Sequence, residues 1–332
     1  MLQLTLCVSI LDIFPATAWS LDKAEVPKSP SAQVLDEDSL LQKQQYQQLI
    51  DRLSPKISDL DNRKLKILGR AYSGIKNSIS AIKTFNLAVT KDPKDAEAST
   101  LVGSELLSQG KDREAMLSFR DAIKADPKYE NAYFGIEKIY VKKGNKYELR
   151  MLYSDMIDLM GEKPHYMSRL CELYTTGGLY EEAKKICQRG IQLKKDDPKN
   201  YVFLATTLKE TGDREGAIKL YKKTAEDFKN SEEAQLALAL FSESEKNYPD
   251  AAKYFKAASV ANPASLKSLT GFAMMSLELQ NFQDTYDSLE KSCKMDRRTV
   301  KEVKHAAAIL RTMKQEAWYE KLMVLAEKCG IQ

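Results

Sequence analysis

The sequence predicts an all-α solenoid of antiparallel helix pairs, and three observations predict it. One spacing of small, large and glycine residues returns every 34 residues along most of the chain, and a fixed period of that size marks a repeat architecture. Hydrophobic residues make up 43% and charged residues 30% of the 332-residue chain, a balance that lets a core be buried and argues against global disorder. The 51 basic and 47 acidic side chains are interspersed rather than gathered in blocks, as on solvated helix faces. At this length an extended array accounts for the chain better than one compact domain.

Residues 1–20 contain no Lys or Arg and run apolar through Leu2, Leu4, Leu6, Val8, Ile10 and Leu11. They end in Ala16-Thr17-Ala18 and Ala18-Trp19-Ser20, small residues spaced to suit a signal peptidase. Asp12 and Pro15 break the stretch, which is too short to span a bilayer. A signal peptide of unusual form is expected, without the positive n-region; the alternative is a peripheral tail. Residues 21–37, with Pro27, Pro30 and small polar residues, read as a flexible linker. An N-terminal capping region over 38–61 follows, with one helix near Ser39 to Leu53 and a stop and restart at Ser54-Pro55.

The repeat begins at Asn62. Leu65-x2-Leu68-Gly69-x2-Tyr72, Ala81-x3-Phe85, Ala88 and Pro93 return one period later as Val102-Gly103, Ala115-x3-Phe119, Ala122 and Pro127. The register continues without insertion in windows opening at Asn62, Ala96, Glu130, Pro164, Pro198, Glu232, Leu266 and Val300. A small slot on the first helix reads Gly69, Gly103, Glu137, Cys171, Ala205, Ala239, Ala273 and Ala307; a large slot on the second reads Phe85, Phe119, Tyr153, Cys187, Tyr221, Phe255, Leu289 and Met323. Small residues let paired helices approach, and the large ones fill the space between neighbouring units. Gly110, Gly144, Gly178 and Gly212 mark the turn between the helices of a pair. The third window, with Glu137 in the first-helix small slot and Leu149 at the second-helix position held by Ala81 and Ala115 in the first two windows, is degenerate, as are the last two. Residues 62–299 are thus repeats, and 300–332 a degenerate capping repeat whose last helix, near Glu316 to Cys329, turns Trp318, Leu322 and Leu325 to the array and Glu320, Lys321, Glu327 and Lys328 to water.

These residues resemble the tetratricopeptide repeat family, with Leu-Gly-x2-Tyr in one helix, Ala-x3-Phe in the next and a closing Pro; Leu65 and Ser99 stand in its tryptophan slot. The resemblance implies a right-handed superhelix whose concave wall is lined by the first helix of each pair. Residues pointing into it would be Lys66, Arg70, Thr100, Ser104, Phe134, Lys138, Ser168, Arg169, Glu172, Val202, Phe203 and Thr206. That wall is basic and part aromatic in its first half, and an extended peptide segment with carboxylates and an apolar anchor would suit it. Family members that grip the acidic tails of chaperones carry a set of Lys, Asn and Arg residues that is not matched here. Lys66 fits, but Arg70, Leu101, Asn131 and Gly135 occupy the remaining positions.

No constellation for chemistry is evident. His165 and His305 lie in distant windows, and neither Cys-x2-Cys, His-Glu-x2-His, a phosphate loop nor Gly-x-Ser-x-Gly occurs. No catalysis, cofactor or metal is expected, and a net charge of +4 without a basic stripe argues against nucleic acid. Cys171 and Cys187 fall on facing helices of one pair and either form a disulfide or pack as small hydrophobes; Cys293 and Cys329, on second helices of adjacent windows, rank behind them. The expected function is a non-enzymatic scaffold that holds another protein, periplasmic or secreted, without an integral membrane span. The alternatives are an intracellular adaptor in the cytoplasm and an array that self-associates end to end.

Overall fold

The computed structural model describes residues 36–331. The apolar segment over 1–20 and nearly all of the linker over 21–37 lie outside the described residues. Eighteen α-helices and no strand occur among them.

Two short helices open the described chain, α1 (Glu37–Gln42) and α2 (Tyr46–Leu53), and a 3-10 turn over Ser54–Asp59 closes this region. The single helix expected over Ser39 to Leu53 is therefore broken, at Gln44, whose φ is 56°. The break has a packing cause. In a straight helix Leu49 would sit about two and a half turns beyond Leu40 and face the opposite way. With the chain reversed between them, Leu40, Leu49, Ile50 and Leu53 all bury against Leu65 and Leu68 of the first repeat.

Eight helix pairs follow: α3 (Asn62–Gly74) with α4 (Ser78–Lys91), α5 (Ala96–Ser108) with α6 (Asp112–Ala125), α7 (Glu130–Lys143) with α8 (Lys146–Met160), and α9 (Pro164–Thr176) with α10 (Tyr180–Leu193). Then come α11 (Pro198–Glu210) with α12 (Arg214–Asp227), α13 (Glu232–Ser244) with α14 (Tyr248–Ala261), α15 (Leu266–Glu278) with α16 (Phe282–Met295), and α17 (Val300–Thr312) with α18 (Glu316–Ile331). Each first helix starts at the residue that opens its window. Local chemistry fixes several of these starts: the side chains of Asp61, Asp95, Ser231 and Ser265 accept from backbone N–H groups of the first turn, and Pro164 and Pro198 occupy first-turn positions that need no N–H.

Within a pair, the large slot meets the small one. A Cβ added at Gly103 would lie 2.7 Å from the Phe119 ring, and Gly135 of the next pair closes on the same ring from the other side. Phe119 is thereby fully buried between two units, and Phe255 sits in the same way against Gly271 of the following unit. The fourth pair replaces this contact with a covalent one, since Cys171 and Cys187 occupy the two slots and form a disulfide with Cα atoms 4.9 Å apart. Cys293 and Cys329 are also bonded, with Cα atoms 5.7 Å apart, because the second helices of the last two pairs pack side by side. In the third pair Glu137 fills the small slot and Tyr153 the large one. Burial first, then the adjacent Glu137 carboxylate, raises the Tyr153 pKa well above the ordinary tyrosine value. On α18, Leu322 and Leu325 are buried, Trp318 is half-buried beneath Lys321, and Glu320, Lys321, Glu327 and Lys328 are exposed.

Candidate protein-binding groove

The first helices present their inner faces side by side, and between α3, α5 and α7 they form a groove of about 530 Å³. The apolar part of its lining is Leu101, Leu107 and Phe134, which lie over the buried Phe119 ring that the two glycines hold in place. The polar groups stand at Arg70, Glu97, Thr100, Ser104, Tyr129, Asn131 and Lys138. Five residues expected on the concave wall, Arg70, Thr100, Ser104, Phe134 and Lys138, thus come together in one place.

Their electrostatic roles differ. Lys138 is exposed and makes no ion pair among the described residues. Arg70 is half-exposed and pairs with Glu97 at the groove edge. Lys66 does not line the groove. Its side chain is only 16% exposed and is held at 2.8 Å by Asp95, which caps the next first helix, and at 2.5 Å by Glu97 on that helix. Burial opposes the charge on Lys66, yet the hydrogen bonds that it donates to Asp95 and Glu97 outweigh it and hold the ammonium pKa above its ordinary value. Ser104 donates to the Thr100 carbonyl at 2.9 Å, while the buried Thr100 hydroxyl has no hydrogen-bond partner among the described residues.

The remaining expected residues lie outside the groove and are engaged within the array. Arg169 binds Glu137 at 3.0 Å and Glu172 at 2.7 Å. Phe203 packs on the cluster of Leu204, Cys171 and Cys187. Thr206 donates to the Val202 carbonyl at 2.9 Å and lies 2.7 Å from the Tyr221 hydroxyl. Between groove and array, His165 on α9 stands 6.1 Å from the Phe134 ring, and burial, then the charge of Lys163, lowers its pKa.

Sequence reasoning missed Glu97, Tyr129 and Leu107. Glu97 had a readable signal, because opposite charges about one period apart bridge successive units throughout the array: Lys66 to Glu97, Lys163 to Glu130, Arg169 to Glu137 and Arg214 to Glu245. Tyr129 and Leu107 carried none, since their place at the groove depends on how neighbouring pairs are rotated. The resulting site is a preformed concave surface with an apolar floor, hydroxyl and amide groups, and one unpaired cation. Such a surface can take up an extended chain, with the apolar floor burying side chains and the cation setting register.

Among known proteins, family models described as tetratricopeptide repeat match residues 96–129, which is the second window, and residues 204–265. A 95-residue stretch is 30% identical to protein bimA of Emericella nidulans; it covers 29% of this chain and only 11% of that protein. The fold is similar to a tetratricopeptide repeat protein from Parabacteroides merdae, with a TM-score of 0.55 and 14% identity over 76% of this chain and 93% of that one. It is similar also to the C-terminal part of a repeat-containing protein from Cytophaga hutchinsonii, with a TM-score of 0.55 and 17% identity over 71% of this chain and 97% of that one. No helix among the described residues is long and apolar enough to cross a membrane.

Proposed function

We propose, from the premise that this chain is a tetratricopeptide repeat protein, that it is a non-enzymatic scaffold that holds an extended segment of another protein in the groove between α3, α5 and α7. The observation that carries this reading is the convergence of Arg70, Thr100, Ser104, Phe134 and Lys138 on one part-apolar groove. The preferred segment carries a carboxylate for Lys138 and an apolar side chain for the floor beside Phe134. Selection from a displayed peptide library on the folded protein tests this. Acidic-apolar peptides should be enriched on the wild type and lost on Lys138→Glu with unchanged helical circular dichroism. Equal retention on the variant would remove the groove from consideration.

The scaffold acts in an oxidising compartment, periplasmic or secreted, and contributes there to the assembly of an envelope or secreted complex. Two disulfides support this location, because reducing compartments keep such thiols open. The apolar segment ending at Ala18-Trp19-Ser20 supports it independently. Intact mass of the mature protein from its native source is the check: loss of about the first twenty residues is expected, and a full-length mass with all five cysteines as free thiols would favour the cytoplasmic adaptor.

A further inference from the structure

The two disulfides sit in different surroundings. Cys171 and Cys187 are both 0% exposed and are enclosed by Leu204 and its apolar neighbours. Cys293 and Cys329 are 7% and 4% exposed and form part of the wall of an open cleft of about 500 Å³ between α16, the turn Arg297–Thr299 and α18. Lys294, Arg297 and Lys328 line the same cleft. Glu290, the one anion lining it, pairs with Lys294 at 2.8 Å, whereas Arg297 and Lys328 are exposed and make no ion pair among the described residues. A disulfide in a cationic, open setting has the two features that speed exchange: access for the attacking thiolate and stabilisation of the departing one.

We infer that the Cys293–Cys329 disulfide is a thiol–disulfide exchange site for small thiols bearing a carboxylate. The cleft cations concentrate the anionic thiol. Its thiolate attacks the Sγ of Cys293 from the cleft; a new sulfur–sulfur bond forms, the Cys293–Cys329 bond breaks, and the electron pair leaves on Cys329 as thiolate. A second thiolate then attacks the mixed disulfide at the small-molecule sulfur. The small disulfide departs and Cys293 is left as thiolate, so the protein gains two electrons and two small thiols are oxidised. Opening this bond removes the covalent tie between α16 and α18 and leaves the fourth pair closed.

The test uses the full folded chain and two thiols of similar size and opposite charge, mercaptoacetate and cysteamine. Each rate is normalised to that thiol's rate on the neutral hydroxyethyl disulfide. Acid quenching, alkylation and peptide mass mapping report each cysteine. Mercaptoacetate should open Cys293 and Cys329 to alkylation while Cys171 and Cys187 remain bonded, and should outpace cysteamine roughly tenfold at low salt. High salt, or the variant Arg297→Glu with Lys328→Glu, should erase most of that preference while circular dichroism stays unchanged. Opening of both disulfides together, opening of Cys171–Cys187 first, opening only on global unfolding, or equal normalised rates for the two thiols on the wild type would each overturn the inference.

Discussion

Lys66 and Lys138 both point from inner faces of first helices, yet they have different work. Lys66 is clamped between Asp95, which caps α5, and Glu97 in its first turn, so it ties two repeats together. Lys66→Met should therefore lower stability by about 1–2 kcal/mol in chemical denaturation, by leaving the half-buried Asp95 carboxylate without its cation and Glu97 with Arg70 alone, and should leave peptide selection intact. Lys138→Glu should do the reverse. The cluster also has a pH signature. Burial opposes ionisation of Asp95 and Glu97, but the hydrogen bonds and charge of Lys66 outweigh it and hold both carboxyls below their ordinary values. A depressed carboxyl contributes stability above its unfolded pKa and loses it as pH falls through the folded value. This contribution is therefore full above about pH 5 and fades below about pH 4. Lys66, raised above 10.5, contributes fully below that value and loses its share as pH rises past it. Denaturation midpoints measured from pH 6 to 3 should fall more steeply for wild type than for Lys66→Met.

At the scale of the helix pair, the turn between its two helices needs one residue in the left-handed region. Gly110, Gly144, Gly178 and Gly212 fill it in four units, with φ between 69° and 90°. The other four use Lys76, Lys246, Gln280 and Lys314, with φ between 57° and 60°. The turn survives without glycine because its hydrogen bonds are the same: the N–H of Lys111 donates to the Leu106 carbonyl at 3.0 Å, and that of Asn77 to the Tyr72 carbonyl at 2.9 Å. A side chain in that conformation costs about 1–2 kcal/mol, partly offset by the lower unfolded-state entropy of a non-glycine residue. Lys246→Gly and Gln280→Gly should each raise stability by roughly 0.5–1 kcal/mol, and Gly110→Ala should lower it by a similar amount. Unfolding midpoints of the three variants check this. The glycine positions were legible from their spacing, and the equivalent lysines and glutamine were not, since nothing in their chemistry asks for a left-handed turn.

For the whole molecule, the ends of the array decide solubility. The final helix covers an apolar face that includes Val303, Ala306, Ala307 and Leu310, and it turns charge outward. Ending the chain after Met313 should expose that face and produce concentration-dependent association in sedimentation velocity, while the full chain keeps one sedimentation coefficient over the same range. A truncated chain that stays monomeric would show that the last helix is dispensable as a cap.

By itself, the sequence determined the unit and its register. The 34-residue period, the small and large slots and the turn glycines report contacts within one helix pair and with the next, which every unit must repeat. Local spacing is enough to carry such information. The tertiary structure alone decided which inner-face residues are available. Whether a lysine is clamped like Lys66 or unpaired like Lys138, whether Phe134 borders the groove floor or Phe203 packs under a neighbour, and which disulfide borders an open cleft all depend on how successive pairs are rotated and stacked. That rotation is summed over many small packing contacts between units, and no single residue encodes it.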